Sequence, residues 1–116
     1  QLASMHCTAE HGCDVADEQR RIIQHGGRVD RLAGNVGPLR VWLRTEDRPG
    51  LAMTRSVGDH VARPLGVICD PDVQAVRLEQ KHSALVIGSD GLFDRVSPAE
   101  LATIIWNRRH EPADEI

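Results

Sequence analysis

Apolar and polar positions change their spacing along this chain, and each change marks a new element. Over Asp14 to His25, the residues Val15, Gln19, Ile22 and Ile23 fall on one side of a helix, Asp14 stands where a cap belongs, and Asp17 and Glu18 suit the positive end. The spacing predicts a helix over 14–25, closed by Gly26-Gly27 because glycine enters the left-handed region at little cost. Beyond it the period falls to two. Arg28 to Leu32 alternates, Gly34-Asn35-Val36-Gly37-Pro38 is a turn cluster, and Leu39 to Leu43 alternates again, which predicts a hairpin. Arg44 to Arg48 with Pro49-Gly50 reads as a loop leading to a short strand over Leu51 to Thr54.

The period of two returns after Pro71, through Val73, Ala75 and on to Leu78. After a turn at Glu79 to His82, the β-branched run Ala84 to Ile87 predicts a buried strand that stops at Gly88-Ser89-Asp90-Gly91. The last element is a helix with Ser97 as cap, Pro98 in the first turn and Glu100 completing a capping box. Leu101, Ile104 and Ile105 form its apolar face, and Arg108, Arg109 and His110 stand at its negative end. This order of helix, strands and helix predicts an α+β fold with mainly antiparallel pairing.

Composition narrows the partners. A length of 116 residues suits one domain, and 14 Lys+Arg against 17 Asp+Glu leave a net charge of -3. Aromatics make up only 3%, so there is no platform for stacking bases, and the acidic balance argues against a nucleic-acid partner. The longest apolar run, Ala84 to Ile87, is far short of a bilayer span, so no membrane partner is expected. An odd count of cysteines, Cys7, Cys13 and Cys69, points to free thiols and an intracellular location, cytoplasmic or nuclear. The chain begins at Gln1, with apolar residues close to both ends, and reads as a piece of a longer one.

Three segments carry candidate chemistry. In Leu85 to Asp94 an apolar run delivers Asp90, Gly91 allows a tight turn, and Asp94 follows four residues on. Carboxylates on a rigid support are suited to hard divalent cations, although Ser-Asp-Gly is also a common turn in which Asp90 bonds its own backbone. Pro49 to Asp59 gathers Arg55, two hydroxyls (Thr54, Ser56) and Asp59, an arrangement equally suited to phosphate recognition or to a hydrogen-bond network. His6, Cys7, His11 and Cys13 raise a structural zinc site, but the C-x5-C spacing is not that of a zinc knuckle.

Taken in order, these segments resemble the metal-dependent protein serine/threonine phosphatases of the PP2C (PPM) family. Cys7-Thr8-Ala9-Glu10-His11 resembles that family's Leu-Thr-x-Asp-His step, and Glu18 to Ile22 with Gly26-Gly27 resembles its Glu-x-x-Arg-Ile…Gly-Gly helix. Leu51 to Asp59 is similar to its Leu-Ala-x-Ser-Arg-x-x-Gly-Asp motif, Asp70-Pro71-Asp72 to its Glu-Pro-Glu, and Ser89 to Asp94 to its Ser-Asp-Gly-Leu-Trp-Asp. Phe93 replaces the Trp, and Asp70 and Asp72 shorten the two Glu.

The resemblance implies part of an α/β sandwich, two antiparallel sheets flanked by helices, with two Mn²⁺ or Mg²⁺ ions in the cleft between the sheets. It makes Asp90 a metal ligand and Asp94 a less certain one, while Gly91, Arg55, Ser56 and Asp59 are motif residues without an assigned chemical role. The attacking group is then a metal-activated water, with no side-chain nucleophile. Residues 12–50 correspond to a flap beside the active site, and 51–116 to sheet core and helix, together a partial phosphatase domain over 1–116. The family's Asp-Gly-x-x-Gly acids, its phosphate-binding Arg and its closing Gly-x-Asp-Asn acid have no counterpart here. The chain is thus identified as a second-half portion of a catalytic domain, inactive alone, with phosphoproteins as substrates and the missing remainder of its own domain as partner. The alternative is a non-catalytic binding or regulatory module of the same fold.

Overall fold

The computed structural model describes residues 3–5 and 7–112, which fall into two units: 9–73, and 74–112 together with residues before 9. The parting at Val73/Gln74 lies within the 51–116 stretch, and residues 51–73 share a unit with the hairpin region.

In the first unit, α1 (Ala16–Gln24) is followed by β1 (Arg28–Leu32), β2 (Val36–Trp42) and β3 (Pro49–Leu51). The three strands form one antiparallel sheet in the order β1-β2-β3. A hairpin forms as expected, with Arg28 opposite Trp42, Val29 opposite Val41 and Asp30 opposite Arg40, but its second strand begins at Val36, inside the expected turn cluster, and ends at Trp42, because Leu32 already pairs with Val36. The third strand begins two residues before its expected start, because Trp42 pairs with Pro49 and Val41 with Leu51. A 3-10 turn, Arg63–Leu65, then brings Ala62, Leu65 and Val67 against Cys13, Ile22 and Val41 to make the core. Val29, Leu39, Leu43 and Leu51 pack around it.

The first helix differs from expectation in its start and its face. It begins at Ala16 with Val15 at the cap position and no side-chain cap, so Asp14 does not play that part. Its buried residues are Glu18 and Ile22, whereas Val15 and Ile23 are exposed. Glu18 is one turn from Ile22 and so shares its stripe. An acid can lie there because arginines meet it, as described below. Gly26 ends the helix as expected, at φ +80°.

In the second unit, α2 (Asp90–Phe93) is a single turn and α3 (Pro98–Arg108) a three-turn helix. The capping box of α3 is present: Ser97 Oγ accepts from the Glu100 N–H at 3.3 Å, and the Glu100 carboxylate accepts from the Ser97 N–H at 3.0 Å. The strands expected over Val73 to Leu78 and Ala84 to Ile87 are not found. Among the described residues these runs have no hydrogen-bonded neighbour, and Val73, Leu78, Leu85 and Ile87 are exposed. Alternation prepares a backbone for a ladder, but only an adjacent backbone makes it a strand. What the described residues contain is therefore a mixed helix and strand fold with one antiparallel sheet.

Candidate functional site

Asp90 and Asp94 occupy the two ends of α2. Asp90 is its first residue, Ser89 precedes it in extended conformation, and the Asp94 N–H donates to the Asp90 carbonyl at 2.8 Å. Spacing of four along a helical turn puts the two carboxylates on one side. Both residues are exposed, and Gly91 makes no close contact that a Cβ would disturb. Behind the turn, a Cβ on Gly88 would lie 2.8 Å from Leu92 and 3.2 Å from Phe93, so glycine lets the backbone pass close to these side chains.

As a metal site the turn is suitable in kind and short in number. Carboxylate oxygens are the donors that Mn²⁺ and Mg²⁺ prefer, and one turn supplies two of them against the roughly six ligands such ions take. Among the described residues, no three His, Cys, Asp or Glu side chains converge to hold an ion. The same holds for the zinc reading, of which His6 lies outside the described residues and Cys13 is buried in the core. An open hollow along α3, lined by Arg95, Val96, Ala99, Glu100, Thr103 and Ile104, includes neither Asp90 nor Asp94.

The 49–59 segment is built into a charge network within the first unit. Arg55 reaches Glu18 with two nitrogens, Nη2 at 2.6 Å and Nε at 3.1 Å from Oε1, while its Nη1 donates to Asp72 Oδ1 at 2.8 Å and to the Asp70 carbonyl at 2.9 Å. Arg21 donates to the other oxygen of Glu18 at 2.5 Å and to the carbonyls of Thr54 and Gly66 at 3.0 and 2.8 Å. Thr54 Oγ1, with one proton to give, lies 2.5 Å from Glu18 Oε2 and 2.7 Å from the His11 carbonyl. Burial alone would push the Glu18 carboxyl up, but the bonds from Arg21, Arg55 and Thr54 outweigh it and hold the group well below the usual carboxylate range. The Glu18 bond, with that to Asp72, raises Arg55 in turn against the effect of burial.

Ser56 and Asp59 close a turn beside this network. Ser56 Oγ donates to the Asp59 carboxylate, and Asp59 itself sits at φ +41° after Gly58 at φ +95°. The side-chain contacts of Arg55, Ser56 and Asp59 described above are thus made with the unit's own residues. Thr54 and Arg55 thus enter a hydrogen-bond network of the kind open to this segment, and its other members, Glu18, Arg21, His11 and Asp72, are ones that sequence reasoning did not join to it. The available signal was an acid in register with Ile22, followed three residues on by an arginine.

Comparison with known proteins bears on the family. The family model described as protein phosphatase 2C matches residues 3–115. The chain is 40% identical over 97 residues to probable protein phosphatase 2C 61 of Arabidopsis thaliana, covering 84% of this chain and 30% of that protein. It is 38% identical over 104 residues to probable protein phosphatase 2C 12 of Oryza sativa subsp. japonica, covering 90% and 27%. Against probable protein phosphatase 2C 72 of Arabidopsis thaliana the figures are 34% over 107 residues, 92% and 32%. The chain therefore spans about a third or less of the length of these curated relatives. By the extent of the family match and the identity of these relatives, this chain belongs to the protein phosphatase 2C family.

Proposed function

We propose that this chain forms part of a metal-dependent phosphatase domain that hydrolyses phosphoserine and phosphothreonine in proteins, with Asp90 as a ligand of Mn²⁺ or Mg²⁺ and Asp94 as an auxiliary one. The observation that carries this reading is the pair of carboxylates at the two ends of one helical turn, inside a segment matched by the family model. A bound divalent ion supplies Lewis acidity toward the phosphoryl oxygens and lowers the pKa of water. The work of Asp90 and Asp94 is to hold and orient that ion, and the short α2 turn fixes their spacing. Arg55, Ser56 and Asp59 act at one remove, as residues that hold the 54–59 segment in place.

In this reading the complete domain is a sandwich of two antiparallel sheets with flanking helices, and the hairpin of β1 and β2 belongs to a flap over residues 12–50 that helps to choose substrates. Its exposed tip, with Leu32 and Val36 open to solvent, supports that assignment. An intracellular setting, cytoplasmic or nuclear, belongs to this reading, and an odd number of cysteines is in keeping with it.

The test is Asp90→Asn in a polypeptide spanning the complete domain, assayed on a phosphopeptide with Mn²⁺ and titrated with Mn²⁺ by calorimetry. Turnover should drop by orders of magnitude and Mn²⁺ affinity should fall, with the melting temperature little changed. A wild-type protein that binds phosphopeptide without hydrolysing it would favour the non-catalytic module instead. Wild-type turnover by the folded variant would remove Asp90 from the site.

A further inference from the structure

The ring of His11 stands between two carboxylates, with Nδ1 3.6 Å from Glu18 Oε1 and Nε2 3.6 Å from Asp72 Oδ2. The three residues come from three separate stretches: His11 from the lead-in, Glu18 from α1, and Asp72 from the segment after the 3-10 turn. Around them stand Arg21 of α1, bonded to the other oxygen of Glu18, and Arg55, which bonds both carboxylates. Asp70 adds its carbonyl to Arg55. The His11 backbone is held separately, its carbonyl accepting from the Thr54 N–H at 3.0 Å and facing the Thr54 hydroxyl.

A neutral imidazole has one N–H, so it can donate toward one of these carboxylates while its bare nitrogen turns a lone pair toward the other. An imidazolium donates toward both. We propose that His11 is a pH-sensitive clasp on the Asp70–Asp72 segment, closed on both carboxylates when the ring is charged and released from one of them when it is neutral. Asp72 is the side released. Glu18 keeps three other side-chain donors, from Arg21, Thr54 and Arg55, whereas Asp72 keeps one, from Arg55, and its side chain is 50% exposed. Arg55 works against the charged ring as a neighbouring cation, and it also holds Asp72 when the ring lets go, so the clasp modulates the segment without freeing it. Imidazoles as a class change charge between about pH 5 and 8, and this sets the span over which the clasp is tested. The clasp is independent of the phosphatase reading, since all its parts lie in the 9–73 unit and none is a proposed metal ligand.

Amide hydrogen exchange on the complete domain tests it. Protection of the Ile68 amide, which donates to the Thr54 carbonyl, and of the Ser56 amide, which donates to the Ile68 carbonyl at the root of the segment, corrected for the intrinsic pH dependence of exchange, should be about two- to fivefold greater at pH 5.5 than at pH 8, the scale of a partly exposed ion pair. That difference should vanish in His11→Gln and also in Asp72→Asn, a half-exposed site whose change leaves the core alone. Equal protection at the two pH values in the wild type, or a difference that survives in either folded variant, would overturn the proposal.

Discussion

Arg55 grips Glu18 with two of its nitrogens, and in doing so ties the 51–59 motif segment to the inner face of α1. Glu18 is only 4% exposed. Replacing it by Gln keeps the shape but leaves two guanidinium groups facing a neutral partner, and breaking a buried pair in this way costs roughly 3–5 kcal/mol. The partial exposure of both arginines puts the value near the lower end. Denaturant unfolding of Glu18→Gln in the complete domain should show that loss, and a change well under 1 kcal/mol would mean that the pair contributes little.

The same pair sets an acid limit. Glu18 has its carboxyl lowered from an ordinary value of 4.5 by folding, so its contribution is complete above that value, where the carboxylate is charged in both states. It is lost progressively as the pH falls below it, because protons then bind the unfolded chain more readily than the folded one. Melting temperature followed from pH 6 down to pH 3 should decline less steeply in Glu18→Gln than in the wild type.

Trp42 is 6% exposed, its Nε1 donates to the Asp30 carbonyl at 2.9 Å, and Arg28 lies over its ring at 5.8 Å. It is a packing residue of the sheet. In a polypeptide spanning the complete domain, Trp42→Ala should therefore lower stability by about 3–5 kcal/mol and, on the proposed function, reduce turnover of phosphopeptides and of small aryl phosphates together. Selective loss on phosphopeptides at an unchanged melting temperature would instead make it a substrate contact.

Gly50 lies against the same ring. Its φ is +74°, and a Cβ there would come within 2.8 Å of the indole, so both conformation and space require glycine. Gly50→Ala should displace Trp42, detectable as a shift in its fluorescence, and should destabilise the sheet. A variant with native fluorescence and stability would show that the loop gives way instead.

The 116-residue chain by itself should be inactive toward a phosphopeptide at millimolar Mn²⁺. Two carboxylates on one turn fall short of what a hard cation needs to give up its water, and among the described residues no third acid, histidine or cysteine joins them. Metal-dependent turnover by the chain alone would show that other groups complete the site.

Local signals were legible where one stretch of chain carries all the causes of its own structure. The Ser97 capping box and the Gly26 helix end need only neighbours in sequence and stand where the sequence placed them, while the hairpin forms with its second strand three residues earlier than the alternation indicated. The family, too, was legible, because its motifs come in a fixed order over nearly the whole chain. The runs at 73–78 and 84–87 carry the alternation of strands, yet a strand is a relation between two backbones, and one sequence window cannot supply the second. Glu18 makes the same point from the polar side. Its place on the Ile22 stripe was in the sequence, but only folding brings Arg55, 37 positions away, and Thr54 to meet the charge, and without them burial of that carboxylate would be too costly to keep.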